Sequence, residues 1–139
     1  MALVKSNGQE IPSTLTDVMD QVFNEGTLAG GTGFRPDMDL YETKTTYEVE
    51  VMLPGLQKSD IDVEVTGQSL RVSGRREYED EKDVTYHLRE GFNGYFERIL
   101  EIPQDGQLQE VSARFDQGIL FITVPKQEQH SSGKQIEIR

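Results

Sequence analysis

The side chains best suited to acid–base chemistry near neutral pH are two histidines, His87 and His130, and neither sits in a catalytic setting. His87 lies in VTYHLRE (84–90) and His130 in a polar run near the end of the chain, so each reads as a surface residue. No G-x-S-x-G turn accompanies a serine, and no His-Glu-x-x-His pair is present. The 139 residues contain no cysteine, which removes thiol nucleophiles, disulfides and Cys-ligated zinc. GGTGFRP (30–36) lacks the Lys-Ser/Thr of a phosphate loop, and Pro36 stands where a dinucleotide fingerprint needs glycine. EYEDEKD (77–83) has the composition of a calcium loop but neither its carboxylate spacing nor its central glycine. It reads as a solvated loop. The expectation is a protein without catalytic site, cofactor or metal, whose work is binding by surfaces.

The charge narrows the partners. There are 25 acidic and 14 basic residues, a formal net charge of −11. Nucleic-acid binding needs clustered cations, so that class is excluded. Nothing approaches the ~20 apolar residues of a membrane helix. Met1 to Lys5 leads into polar residues rather than a secretory leader. The expectation is a soluble, cytoplasmic chain. A hydrophobic content of 35% is low, which suggests that part of the chain lies outside a packed core.

Three regions would position such surfaces. In residues 1–35, Leu15, Val18, Met19, Val22 and Phe23 fall at i, i+3, i+4, i+7 and i+8, one face of a helix. Thr14 and Asp17 have capping-box spacing, which predicts a short amphipathic helix at about 14–24. A glycine-rich linker follows at 26–33, so the arm is expected to be helical against a partner or to fluctuate. Residues 36–126 alternate with period two through TYEVEVML (46–53), DIDVEV (60–65), SLRVSG (69–74), YFERILEI (95–102) and VSARF (111–115). ILFITV (119–124) is apolar on both faces and predicts a strand buried on both. Glycines and prolines, Gly74 among them, punctuate these runs. Such spacing without intervening helices predicts an all-β, immunoglobulin-like antiparallel sandwich. After the acidic loop, Val84, Tyr86 and Leu88 alternate again, a strand able to pair with another chain's edge. Residues 127–139 form a polar tail whose only apolar side chains are Ile136 and Ile138. In an extended chain both project to one side.

PDMDLYET (36–43), VMLPGLQKSDIDVEV (51–65), REGFNGYFERILEIP (89–103), ARFDQGILFITVPK (113–126) and the Ile136–Glu137–Ile138 tail resemble the small heat-shock proteins, built on the α-crystallin domain. Most specific are Ala113, Phe115, Gly118, Ile119, Leu120, Pro125 and Lys126, then Gly94-x-Phe96-x-Arg98. Met52 and Gln117 depart from the usual pattern. Gln tolerates positive φ less well than Asn or Asp, so the turn there is either of another type or mildly strained.

The resemblance implies an ATP-independent holdase chaperone, a dynamic homo-oligomer of strand-swapped dimers that binds unfolding client proteins. It implies that Ile136 and Ile138 dock on another subunit, in a groove suggested here by Ile61, Val63, Val65, Leu108 and Val111. All five also fit plain sandwich core, and the isoleucines also fit an incidental disordered end. It implies that residues 84–89 (Val84, Tyr86, Leu88) add to the partner's 38–42 (Met38, Leu40), with Arg98 near that contact or simply an exposed strand cation. The arm residues Leu15, Val18, Met19, Val22 and Phe23 would meet clients. A monomeric adaptor resembling the CS domain, binding one folded partner, is the alternative.

Overall fold

A computed structural model describes residues 4–6, 9–11, 13–20, 34–77, 81–128 and 136–139. Strands β3 (Met38–Glu42), β4 (Thr46–Met52), β9 (Ile119–Pro125) and β8 (Ser112–Asp116) form one antiparallel sheet in the order β3-β4-β9-β8. Strands β5 (Ile61–Thr66), β6 (Ser69–Arg76) and β7 (Gly94–Glu101) form the second, in the order β5-β6-β7. The result is the all-β sandwich that the alternation predicts. Side chains at every second position enter the core: Tyr47, Val49 and Val51 from β4, Leu70 and Val72 from β6, Phe96 and Leu100 from β7, and Leu120, Ile122 and Val124 from β9. Two features were not readable in the pattern. β1 (Val4–Ser6) and β2 (Gln9–Ile11) form a short antiparallel hairpin. Strand β9 is fully buried on one face only, because Ile119, Phe121 and Thr123 are half-buried on the other, where the Arg114 guanidinium lies 4.1 Å from the Phe121 ring centre.

The turn at Gln117–Gly118 has positive φ at both residues, 52° and 80°. This is the primed two-residue turn that matches strand twist, and Gln117 holds it at a steric cost. Of the two alternatives for this turn, the mildly strained one is found. Gly74 is no turn. It lies inside β6, buried, opposite Ile61 on β5 and Phe96 on β7. A Cβ there would stand 2.4 Å from the Asp60 carbonyl oxygen, so glycine is required by close approach of backbone.

Candidate interaction surfaces

Each sheet ends in strands whose outer N–H and C=O groups lack a ladder partner among the described residues: β3 and β8 in one, β5 and β7 in the other. Arg98 fixes how the edges align. Its Nη1 donates to the Pro36 carbonyl at 2.8 Å, which places the β7 edge beside the start of β3. The β5 and β8 edges therefore share the opposite side of the sandwich. Arg98 is 6% exposed, a buried tie within one chain rather than the exposed strand cation that remained one reading of the sequence.

On the β5–β8 side, Ile61, Val63, Val111 and Phe115 are half-buried against the core, and Val65 is exposed. Leu108, expected with them, turns inward from its 3₁₀ turn (Leu108–Glu110) and is core. Phe115 on β8, outside the five residues named from the sequence, is half-buried against the core. Its signal was present in the alternation of VSARF, where Val111 and Phe115 are two steps of period two apart. On the β3 side, Met38 and Leu40 are half-buried and pack against the core, leaving an incomplete apolar row at a sheet edge.

Residues 84–89 form no strand within the single chain. A strand is defined by its ladder, and none of the described residues supplies one. Val84, Tyr86 and Leu88 are 45%, 52% and 76% exposed, so three apolar side chains of this segment stand largely in solvent. Arg89 stacks on the Tyr86 ring at 4.5 Å.

In the arm, residues 15–20 are helical. The Asp17 carboxylate accepts from the Ser13 and Thr14 backbone N–H groups and the Ser13 hydroxyl, while Thr14 Oγ1 accepts from the Asp17 N–H at 3.2 Å. Burial opposes the Asp17 charge, but the bonds from Thr14 and Ser13 outweigh it and hold the pKa below the ordinary 3.8. A depressed pKa means that the cap is complete above that ordinary value and is lost as pH falls through the lowered one. Backbone protection of residues 15–20 against hydrogen exchange should therefore be flat from pH 7 to about 5. Asp17→Ala should lower it severalfold across that range. Protection that instead declines steadily from pH 7 would assign the cap to another group. Val18 is fully buried in the core cluster, and Leu15 packs partly against it. Of the arm residues expected to face clients, then, Val18 is turned inward and Met19 is exposed; Val22 and Phe23 lie outside the described residues.

The tail leaves from a fixed point. Lys126 Nζ donates to Glu42 Oε2 at 2.8 Å and to the Thr43 carbonyl at 2.7 Å, over the Tyr47 ring. The Tyr47 hydroxyl donates to Asp105 Oδ1 at 2.6 Å, and burial followed by that bond pushes its pKa far above the ordinary 10.0. Backbone bonds from Gln107 to Pro125, Lys126 to Thr45 and Gln127 to Asp105 complete the strap. Ile136 and Ile138 are 80% and 95% exposed, so they bury almost nothing on their own chain. Among the described residues no cluster of His, Asp and Glu could hold a metal, and no helix is long and apolar enough to cross a membrane.

The fold is an antiparallel sandwich with open sheet edges and exposed apolar side chains outside its core. The chain belongs to the Hsp20/alpha crystallin family, whose model matches residues 39–139. It is 35% identical to small heat shock protein C2 of Rickettsia felis, over 90% of this chain and 84% of that one. It is 36% identical to a 17.6 kDa class I heat shock protein of Solanum peruvianum, over 84% of this chain and 77% of that one. Heat shock protein 16.0 from Schizosaccharomyces pombe has the same fold, with a TM-score of 0.65 at 32% identity, over 76% of this chain and 99% of that one. Family membership supports a chaperone role.

Proposed function

We propose that this chain is an ATP-independent holdase that works as a dynamic homo-oligomer of strand-swapped dimers. The observation that carries the reading is the exposure of Val84, Tyr86 and Leu88 in a segment that pairs with no strand of its own chain, together with the open β3 edge bearing Met38 and Leu40. Adding residues 84–89 of one copy to β3 of another satisfies both the edge and the segment. The tail's Ile136 and Ile138 then join dimers by entering the β5–β8 side, against Ile61, Val63, Val65, Val111 and Phe115. From Gln127, where the strap ends, Ile136 is nine positions away, a reach of roughly 30 Å at about 3.3–3.6 Å per residue.

Clients are partly unfolded proteins, which expose apolar surface and strand edges. Binding them removes the aggregating species by mass action. The buried Val18 makes opening of the arm a step toward binding, since its stripe is partly occupied at home. The net charge of −11 keeps loaded complexes dispersed. The test is the clouding of a heat-unfolding enzyme without nucleotide. With about one subunit per client, scattering should fall by more than half, and the chain should sediment as a multiple of its own mass. Undiminished clouding with a monomeric chain would favour the single-partner adaptor.

A further inference from the structure

The exchanged strand has a second face. If Val84, Tyr86 and Leu88 turn inward alongside Met38 and Leu40, strand alternation sends Thr85, His87 and Arg89 outward. What they meet is set by β3 and β4. The outward residues there are Asp39 and Tyr41 on β3 and Thr46, Glu48, Glu50 and Met52 on β4, three carboxylates and no cation. Asp39 and Glu50 are direct cross-strand partners, a like-charge pair that opposes sheet pairing in the free chain. Glu50 accepts from the Tyr41 hydroxyl at 3.1 Å, and Glu48 accepts from the hydroxyls of Thr46 and Thr123, so both are met by neutral donors. The Tyr41 hydroxyl registers this negative field. Its pKa lies above the ordinary 10.0, through the Glu50 hydrogen bond first, then burial and the charges of Glu50, Glu48 and Asp39.

We infer that the outward face of residues 84–89, through His87 and Arg89, docks on the carboxylate face formed by Asp39, Glu48 and Glu50 of a second copy, so that pairing tightens when His87 is protonated. The inference rests on the strand-exchange reading and adds to it a charge contact and a pH response. An added strand lies about 4.7–4.9 Å beyond β3, which puts Asp39 beside it and the β4 carboxylates within about 10 Å, near the screening length at moderate salt. Arg89 supplies a permanent cation once strand formation parts it from the Tyr86 ring, which it covers at 4.5 Å in the single chain. His87 supplies the conditional one, because histidine ordinarily changes charge between about pH 5 and 8 while carboxylates stay ionised there. Within the donor segment, Asp83 and Glu90 flank the two cations and oppose them weakly from its ends.

The experiment uses the full chain, with heavy-isotope and normal populations mixed and the appearance of dimers holding one copy of each, which requires the exchanged strands to part, followed by native mass spectrometry between pH 8 and 5.5. Wild-type exchange should slow about threefold to tenfold over that range, the span that two such exposed contacts per dimer supply. His87→Gln should remove the slope, and so should Asp39→Asn combined with Glu50→Gln. His87→Lys should exchange slowly at every pH. A wild-type rate independent of pH, or a slope that survives either neutralising variant, overturns the charge contact. Leu88→Asp separates this from the underlying reading. Placed on the inward face, it should speed exchange and lower the assembly mass at every pH. If it changes neither, strand exchange itself is wrong; if it acts while His87→Gln keeps the slope, only the charge contact is wrong.

Discussion

Removing residues 127–139 should reduce the full-length assembly to dimers or similarly small species. In the isolated chain Ile136 and Ile138 are almost wholly exposed, so their burial is available to a partner without loss at home. Fully burying each contributes about 1.5–3 kcal/mol. Fixing the docked residues 136–138 costs about 1–2 kcal/mol per backbone residue, comparable to that gain. The strap at Pro125, Lys126 and Gln127 already fixes the departure point, which limits that cost. The balance for one tail is small, so a single docked tail should release readily. An assembly holding many tails binds by effective concentration, and removing all of them at once should be decisive. Ile136→Ser with Ile138→Ser should act almost as strongly as truncation, because it removes the apolar burial and leaves the chain length intact. Sedimentation of the three proteins is the measurement. Retention of the full mass by the truncated chain would remove the tail as the link between dimers. A serine variant that stays large while the truncation does not would move the link to the polar tail backbone.

The sandwich itself was legible because alternation reports which side chains share a face. The runs quoted at 46–53, 60–65, 69–74, 95–102, 111–115 and 119–124 became β4 to β9, and the edge segment 38–42 became β3. Alternation does not report what covers that face. Val84, Tyr86 and Leu88 show the same pattern as Tyr47, Val49 and Val51, yet the first set is exposed and the second buried. The difference is made by a neighbouring strand that β4 has and residues 84–89 lack within one chain. The same gap explains Val18 and Leu108, apolar residues at suitable positions for a contact surface that pack into the core. Arg98 was missed as a buried tie because its partner is the Pro36 carbonyl, 62 residues away, and a backbone acceptor leaves no trace in residue types. The β1–β2 hairpin was missed because three-residue strands carrying Lys5, Ser6, Gln9 and Glu10 hold too little pattern to register.

Gly74 is the position where reading a glycine as punctuation matters most, and Gly74→Ala should be the costliest methyl group added to this domain. In an ordinary strand the change would help slightly, because glycine loses more freedom on folding than alanine. Here the added Cβ meets the Asp60 carbonyl oxygen at 2.4 Å and two Phe96 ring carbons at 2.7 and 2.9 Å. Phe96 is 1% exposed and locked in the core, and the Asp60 oxygen is backbone at the end of the 3₁₀ turn (Lys58–Asp60) that launches β5. Neither can yield without moving an element. Overpacking typically costs about 1–3 kcal/mol and occasionally more, and a Cβ pressed on fixed backbone and a buried ring at once belongs at or above the top of that range; a domain of this size loses about 4–8 °C in melting temperature per kcal/mol. Gly67→Ala is the comparison. Its Cβ would meet nothing within 4 Å, so only its φ of +59° is strained, at about 1–2 kcal/mol. Gly74→Ala should therefore melt lower than Gly67→Ala, and it should do something Gly67→Ala does not. The element most free to retreat is the β5 edge, which carries Ile61, Val63 and Val65. Shifting that edge should weaken tail docking and shrink the assembly at temperatures where the sandwich is still folded. Circular dichroism gives the melting temperature and sedimentation the mass. Equal melting temperatures for the two variants would show that β6 does not approach Asp60 so closely. A lower melting temperature with an unchanged assembly would show that β5 is not where the tail docks.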